Sequence, residues 1–375
     1  MPKNNYQFDA AYQSRFARVL QIIRIDPVLL FGLLMLTLAG LGILYSAGDQ
    51  SAELMQKQVV RLSIAFLVML VVAQIPPQQL YLWTPWVFLA GVILLLMVFY
   101  AGDVGKGAQR WLKIGVRFQP SEIMKLATPL MLAWYLSERP LPPGFRSLVI
   151  SSALVLLPTI MIAMQPDLGT ALLVAAAGFF VVFFAGISWG ILIGSGLALL
   201  GFIPILWQMM REYQRQRVLT LLDPESDPLG AGYHIIQSKI AIGSGGLYGK
   251  GWLNGTQSQL DFLPERSTDF IFAVYAEEFG MMGAAVLLSL YAFIIWRGLY
   301  IADHAQDNFS RLLAGSLSMT FFVYLFVNVG MVSGILPVVG VPLPLVSYGG
   351  TSLVTLMAGF GMLMSINSDR RLLSK

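Results

Sequence analysis

The sequence predicts an all-α integral membrane protein with about ten transmembrane helices, both termini in the cytoplasm and one long extracytoplasmic loop between helices 7 and 8. Three observations predict it. Hydrophobic residues make up 57% of the 375 residues and charged residues only 12%, where an ordinary globular domain carries roughly a quarter charged residues. The apolar residues are gathered into runs of about 20, long enough to cross a bilayer at 1.5 Å per helical residue. Prolines and polar residues separate the runs, with Pro76, Pro77, Pro140, Pro142 and Pro143 marking connections.

The first run, 28–47, follows a polar tail over 1–26 that carries Lys3, Arg15, Arg18 and Arg24. The tail has no short apolar core or small-residue cleavage site, so 28–47 reads as an uncleaved first helix. Further runs occupy 59–73, 82–101, 122–136, 148–164, 168–186 and 187–207, then 269–296, 312–334 and 345–366. The fourth is short and opens with charges. No internal repeat supports an inverted-repeat transporter. The chain reads as a single polytopic membrane domain.

Sidedness follows from charge. Placing both termini inside puts Lys3, Arg15, Arg18, Arg24, Arg139, Arg146, Arg297, Arg311, Arg370, Arg371 and Lys375 in the cytoplasm, as the positive-inside rule requires. Lys106, Arg110, Lys113 and Arg117 then fall outside, against the rule. They either bind something anionic or are a tolerated exception. The net charge of +4 suits a membrane protein with basic cytoplasmic ends and does not argue for nucleic acid. With no cysteine and two histidines, thiol nucleophiles, disulfides and a histidine-ligated zinc are disfavoured.

The polar segment 208–268 is the long outer loop, and loops of this length are usually functional. Its glycine-rich part, 241–252, superficially suggests a phosphate loop. The spacing fails, because Ser244 stands six before Lys250 and Gly251 replaces the required Ser or Thr. What is left is a backbone free to approach a ligand, or a mobile surface loop.

Four constellations carry candidate chemistry. Asp269 stands where the loop becomes a membrane helix, as a helix cap or as a general base. Glu277 and Glu278 lie deeper, where packing against a cation or a partner helix is the simpler account. A second cluster comprises Arg110, Trp111, Arg117, Ser121, Glu122 and Lys125. Ser121 is placed to cap a helix, and Glu122 and Lys125 are spaced to pair on one face. Arg110, Arg117 and Lys125 are candidates to hold a phosphate group. Trp111 is an interface anchor or a sugar-stacking platform. Third, Gln165, Pro166, Asp167 and Gly169 form a turn between two helices. Fourth, residues 328–350 are apolar yet hold Pro337, Pro342 and Pro344, so they cannot form one continuous helix. Irregular backbone at membrane depth is buried in protein or lines a cavity, which predicts a pocket near the outer face.

On these residues the chain resembles the SEDS proteins (shape, elongation, division and sporulation). The resemblance rests on the 328–352 segment, on Gln165-Pro-Asp-Leu-Gly169, on Ser121-Glu-x-x-Lys125, on Asp223-Pro-x-x-Asp-Pro-x-Gly230, and on the Pro-Glu-x-x-Thr-Asp-Phe run ending at Phe270. It covers the chain from Asp26 on, and the 255–266 stretch is similar to the family's cell-elongation branch. Ser267 departs from the pattern, since relatives commonly carry His there.

The resemblance implies a peptidoglycan glycosyltransferase of the bacterial cytoplasmic membrane that polymerises lipid II at the periplasmic face. The implied partners are a class B penicillin-binding protein and other membrane proteins of the elongation complex. It assigns the base to Asp269, and Trp111 and Asp167 match family motif positions that line the cavity; Arg110, Arg117 and Lys125 are the candidates for the diphosphate from their charge and side, and Glu122, Glu265 and Ser347 complete the expected substrate-binding set. A divalent cation, Mg²⁺ or Mn²⁺, bridging diphosphate and carboxylate suits that chemistry, although no ligand set in the sequence demonstrates one. The competing readings are a flippase or transporter of the same lipid, and a scaffold that recruits the transpeptidase without chemistry of its own.

Overall fold

The computed structural model describes residues 24–105, 108–114, 116–210, 212–226, 231–260, 262–263 and 265–369. Lys3, Arg15, Arg18, Lys106, Arg370, Arg371 and Lys375 lie outside the described residues. The fold is nearly all helical. The chain builds α1 (Pro27–Ala47), α2 (Ala52–Ala73) and α3 (Pro77–Ala101), then a small antiparallel ribbon of β1 (Asp103–Gly105), β2 (Ala108–Ile114) and β3 (Val116–Phe118). Next come α4 (Pro120–Ser137), α5 (Phe145–Met164), α6 (Leu168–Phe184) and α7 (Trp189–Met209). After α8 (Glu212–Leu222), α9 (Ala231–Ser244) and α10 (Thr256–Gln259), the chain ends with α11 (Ile271–Asp303), α12 (Asn308–Val332) and α13 (Thr351–Ser368).

All ten predicted apolar runs are helical. Among the described residues, α1, α2, α3, α5, α11, α12 and α13 are long and apolar enough to cross a membrane. The apolar parts of α6 and α7 are shorter, and α4 carries Glu122 and Lys125 in its first turns. Outward faces are greasy, with Phe31, Trp86, Ile193 and Leu197 exposed. Lipid is the solvent such faces need.

Helix starts follow local chemistry. Asp26 accepts from the Leu29 amide at 2.7 Å, and Asp307 caps α12 through the Ser310 amide at 2.8 Å. Prolines open α1, α3 and α4, where a missing amide hydrogen costs nothing. Ser121 is not the cap of α4. Pro120 takes the first helical position, which moves the cap back to Gln119.

Packing places α12 near the centre, against α4, α6, α11 and α13, while α2 lies along α13 and α1 along α11. Both described chain ends share one end of the bundle. There Asn367 donates to Asp26 at 2.7 Å, and Arg297 forms an ion pair with the same buried carboxylate.

The 208–268 segment is not a structureless loop, because it folds α8, α9 and α10. Nor is its glycine-rich part a free surface loop. Lys250 and Gly251 amides donate to the carbonyls of Glu277 and Glu278 at 3.0 and 2.9 Å. A Cβ on Gly245 would lie 2.1 Å from the Ala276 carbonyl oxygen, and one on Gly249 would lie 2.1 Å from that of Glu278. Only glycine allows backbones to meet so closely. The contact falls at a break in α11, where Gly280 has φ 63° and ψ −162°. The first turns of α11 are thus a separate short helix clamped by the loop. Glu277 pairs with Lys250 at 2.7 Å and Glu278 with Ser46, so both deep acids have packing partners.

Candidate active site at the outer end of the bundle

Asp269 sits one residue before Phe270, the N-cap of α11, and Phe270 makes no side-chain cap bond. Asp269 is therefore not the capping residue. Its backbone is fixed from α12, where Asn328 donates from Nδ2 to the Asp269 carbonyl at 2.9 Å and to the Val341 carbonyl at 2.8 Å. The flanking turn is fixed from the irregular segment 333–350. Ser347 Oγ donates to the Thr268 carbonyl at 2.5 Å, and the Tyr348 amide donates to the Ser267 carbonyl at 2.8 Å. Ser347 Oγ also accepts from the Leu343 amide at 2.8 Å, holding its own turn closed. A Cβ on Gly340 would lie 3.5 Å from Asp269 Oδ2, so the carboxylate faces a glycine whose φ is 73°. The proline-rich segment is not one continuous helix, as its composition predicts. It holds the acid's loop rather than forming helix.

A second pole gathers around Asp167. Gln119 donates to Asp167 Oδ2 at 2.6 Å and Arg110 lies 3.8 Å from Oδ1, while Asp167 caps α6 through the Thr170 amide at 3.3 Å. Arg110 also donates to the Pro166 carbonyl. Lys125 and Glu122 pair at 2.7 Å with 4% and 5% of their surface exposed. Arg110 and Lys125 are thus each matched by a carboxylate before any ligand arrives. Trp111, half-buried, sits in β2 opposite Asp103. Arg117 lies in β3 opposite Lys113, and its side chain is outside what is described.

The two poles meet on one face of α12. The Lys125 ammonium lies 5.1 Å from the centroid of the Tyr324 ring. Tyr324 precedes Asn328 by one helical turn, and residues four apart share a face about 6 Å apart. Gly169, at the start of α6, adds a further link, since a Cβ there would stand 2.9 Å from the Val339 carbonyl oxygen. The segment bearing Gly340 therefore bridges the Asp167 turn and Asp269.

Glu265 is set apart from this face. It is exposed, with φ 51°, and its charge acts on His234 of α9. His234 stacks on Phe270 at 5.6 Å between ring centroids. Of the Asp223–Gly230 run, 227–230 lie outside the described residues. Sequence reasoning missed Asn328, Gln119 and Tyr324. For Asn328 and Tyr324 the signal was a polar or hydroxylated residue in an otherwise apolar helix; Gln119, at the cap of α4, carried none.

The chain matches a family model described as a cell cycle protein, FtsW/RodA/SpoVE, over residues 18–372. It is 56% identical over 356 residues to the peptidoglycan glycosyltransferase MrdB of Escherichia coli K12, covering 94% of this chain and 96% of that protein. It is 35% identical over 358 residues to the probable peptidoglycan glycosyltransferase FtsW of Idiomarina loihiensis, covering 93% and 86%. Among solved structures, the rod shape determining protein RodA of Thermus thermophilus superposes with a TM-score of 0.70 at 29% identity, over 92% of this chain and 97% of that one. A chain from a structure of a peptidoglycan synthase complex that coordinates polymerization and crosslinking superposes with a TM-score of 0.81 at 34% identity, over 92% and 98%.

Proposed function

This chain belongs to the FtsW/RodA/SpoVE (SEDS) family of cell cycle proteins, and from that membership we propose that it polymerises lipid II with Asp269 as general base. It is a peptidoglycan glycosyltransferase of the elongation type. A sugar hydroxyl attacks an anomeric carbon. The new glycosidic C–O bond forms as the bond from that carbon to the diphosphate breaks, and the lipid diphosphate leaves. The hydroxyl proton passes to the Asp269 carboxylate.

The observation that carries this reading is the suspension of Asp269. Its peptide is held by Asn328 and its neighbours by Ser347 and Tyr348. A base held this way approaches its proton with little reorganisation, and general-base help is worth roughly 10²–10⁴-fold. The leaving diphosphate needs positive charge or hydrogen-bond donors. Arg110 and Lys125, with Gln119 behind Asp167, are the groups this pocket offers. Because both cations start in ion pairs, the diphosphate competes with Asp167 and Glu122 for them, and can exchange partners as it forms and departs. Trp111 and Arg117 of the ribbon, and Glu265 on the exposed turn apart from this face, are the further residues proposed to meet substrate.

Among the described residues no group of three His, Cys, Asp or Glu side chains forms a metal cage. A Mg²⁺ or Mn²⁺ ion would arrive on the substrate phosphates, as Mg²⁺ commonly does, and no step here is routed through it.

The proposed reaction belongs at the periplasmic face of the bacterial cytoplasmic membrane, a reading supported by the Asp269 end lying opposite the end that holds Asp26, Arg297 and Asn367. A class B penicillin-binding protein is the proposed partner, supported by the synthase complex to which the chain is similar. Other elongation proteins would join them. The test is polymerisation of labelled lipid II by the purified full-length chain with and without that transpeptidase. Glycan strands support the reading. Transbilayer movement of the lipid without polymer supports a flippase, and the absence of both polymer and movement supports a scaffold.

A further inference from the structure

We infer that Arg61 is a second anion subsite of this pocket, one that receives the diphosphate of a lipid-linked substrate other than the one held at the Asp167 pole. The inference rests on the lipid-linked reaction proposed above.

Charge pairing singles this residue out. Of the cations beyond the first turn of a membrane helix, Lys57 has Glu53, Lys125 has Glu122 and Arg297 has Asp26. Arg61, in α2, meets no carboxylate among the described residues, and its guanidinium lies 4.3 Å from the centroid of the Tyr348 ring. A charged side chain in a membrane helix is costly and is normally paired, or faces a pathway or cavity. The tyrosine face offsets part of that cost and leaves the guanidinium's fork of donors for a ligand.

Its position ties it to the acid. The Tyr348 amide donates to the Ser267 carbonyl at 2.8 Å, and the neighbouring Ser347 holds Thr268. From the same helix, Gln58 donates to the Ser347 carbonyl at 3.4 Å. Arg61 is thus separated from the Asp269 turn by a single aromatic side chain. A Cβ on Gly350 would sit 3.7 Å from Arg61 Nε, and one on Gly349 would meet only Ser352 Oγ, at 3.7 Å. The backbone beside the guanidinium is consequently bare. A shallow, open concavity on α2 is lined by Gln56, Lys57, Val60 and Arg61.

Joining two lipid-linked sugars brings two diphosphates to one pocket. Arg110 and Lys125 lie on the Asp167 side of Asp269 and are already matched by carboxylates. Arg61 lies on the Tyr348 side and is not. Arginine's planar fork suits bidentate phosphate binding.

The experiment is titration of the full-length chain in phosphatidylcholine nanodiscs with undecaprenyl diphosphate, which carries no sugar and cannot turn over. Arg61→Gln is expected to raise the half-saturation of one of two binding steps about tenfold, the usual scale for a charged hydrogen bond. Undecaprenol, without phosphate, should bind both proteins alike. Arg61→Lys should recover part of the loss, and serves as the comparison should Arg61→Gln melt early. Superimposable diphosphate isotherms would overturn the assignment. So would disappearance of the difference when phosphatidylglycerol is added, since Arg61 would then serve bulk anionic headgroups. Because binding is read without turnover, failure of polymerisation and failure of this subsite remain distinguishable.

Discussion

Asn328 and Asp269 are joined through the backbone. The buried Asn328 amide donates to the Asp269 carbonyl at 2.9 Å while also holding the Val341 carbonyl at 2.8 Å. One side chain of α12 therefore sets the distance between the acid's loop and the proline-rich segment that faces it. Asn328→Leu should leave two carbonyls unsatisfied, at about 1–3 kcal/mol. Polymerisation should fall further than the shift in melting temperature accounts for, because the acid's position is lost with the bond. Melting curves and initial rates on the same preparations check this.

The Glu122–Lys125 pair separates structural from chemical roles. Removing one partner of a buried pair leaves a charge uncompensated, at about 3–5 kcal/mol, whereas removing both is often close to neutral. Glu122→Gln should thus destabilise the protein strongly, and Glu122→Gln with Lys125→Met should restore most of the stability. Polymerisation should stay lost in the double variant if Lys125 meets the diphosphate. Denaturation in detergent and activity, measured for all members of the cycle, decide it.

Gly249 tests the clamp on α11. Its φ is 79°, and a Cβ there would stand 2.1 Å from the Glu278 carbonyl oxygen. Gly249→Ala should cost about 1–3 kcal/mol for the backbone conformation alone, with overpacking added. Hydrogen exchange should rise in the first turns of α11 before it rises in α12.

His234 supplies the pH dependence. Burial pulls its pKa below the ordinary 6.5, while nearby Glu265 pushes it upward. The folded protein then binds fewer protons than the unfolded chain just below pH 6.5, so stability rises with pH there. This contribution is present above 6.5 and is lost as the pH falls through the lower folded value. His234→Phe keeps an aromatic face against Phe270 and should flatten the melting profile between about pH 8 and pH 5, the range in which histidine titrates.

Much of this architecture is legible in the sequence because lipid imposes strong rules. The apolar runs fall on helices, and the short fourth run does so too, in α4, where Glu122 and Lys125 satisfy each other by their spacing. The proline count over 328–350 gave the break after α12. The remainder depends on contacts far apart in the chain. Glycines 245, 249 and 280 read as looseness in one dimension, yet in space they let the loop and α11 touch. Asp269 reads as a helix cap, and only the geometry moves the cap to Phe270. The cations near Trp111 read as unpaired because Asp167 is remote in sequence.

The central claim is that Asp269 removes the proton from the attacking hydroxyl. It is tested most directly by the rate at which purified Asp269→Asn, bound to its transpeptidase, polymerises labelled lipid II. The amide keeps the shape of the side chain and the Asn328 bond to the backbone. The account predicts a rate at least about 10²-fold lower with lipid II binding retained. Glycan strands forming at an unchanged rate would contradict it.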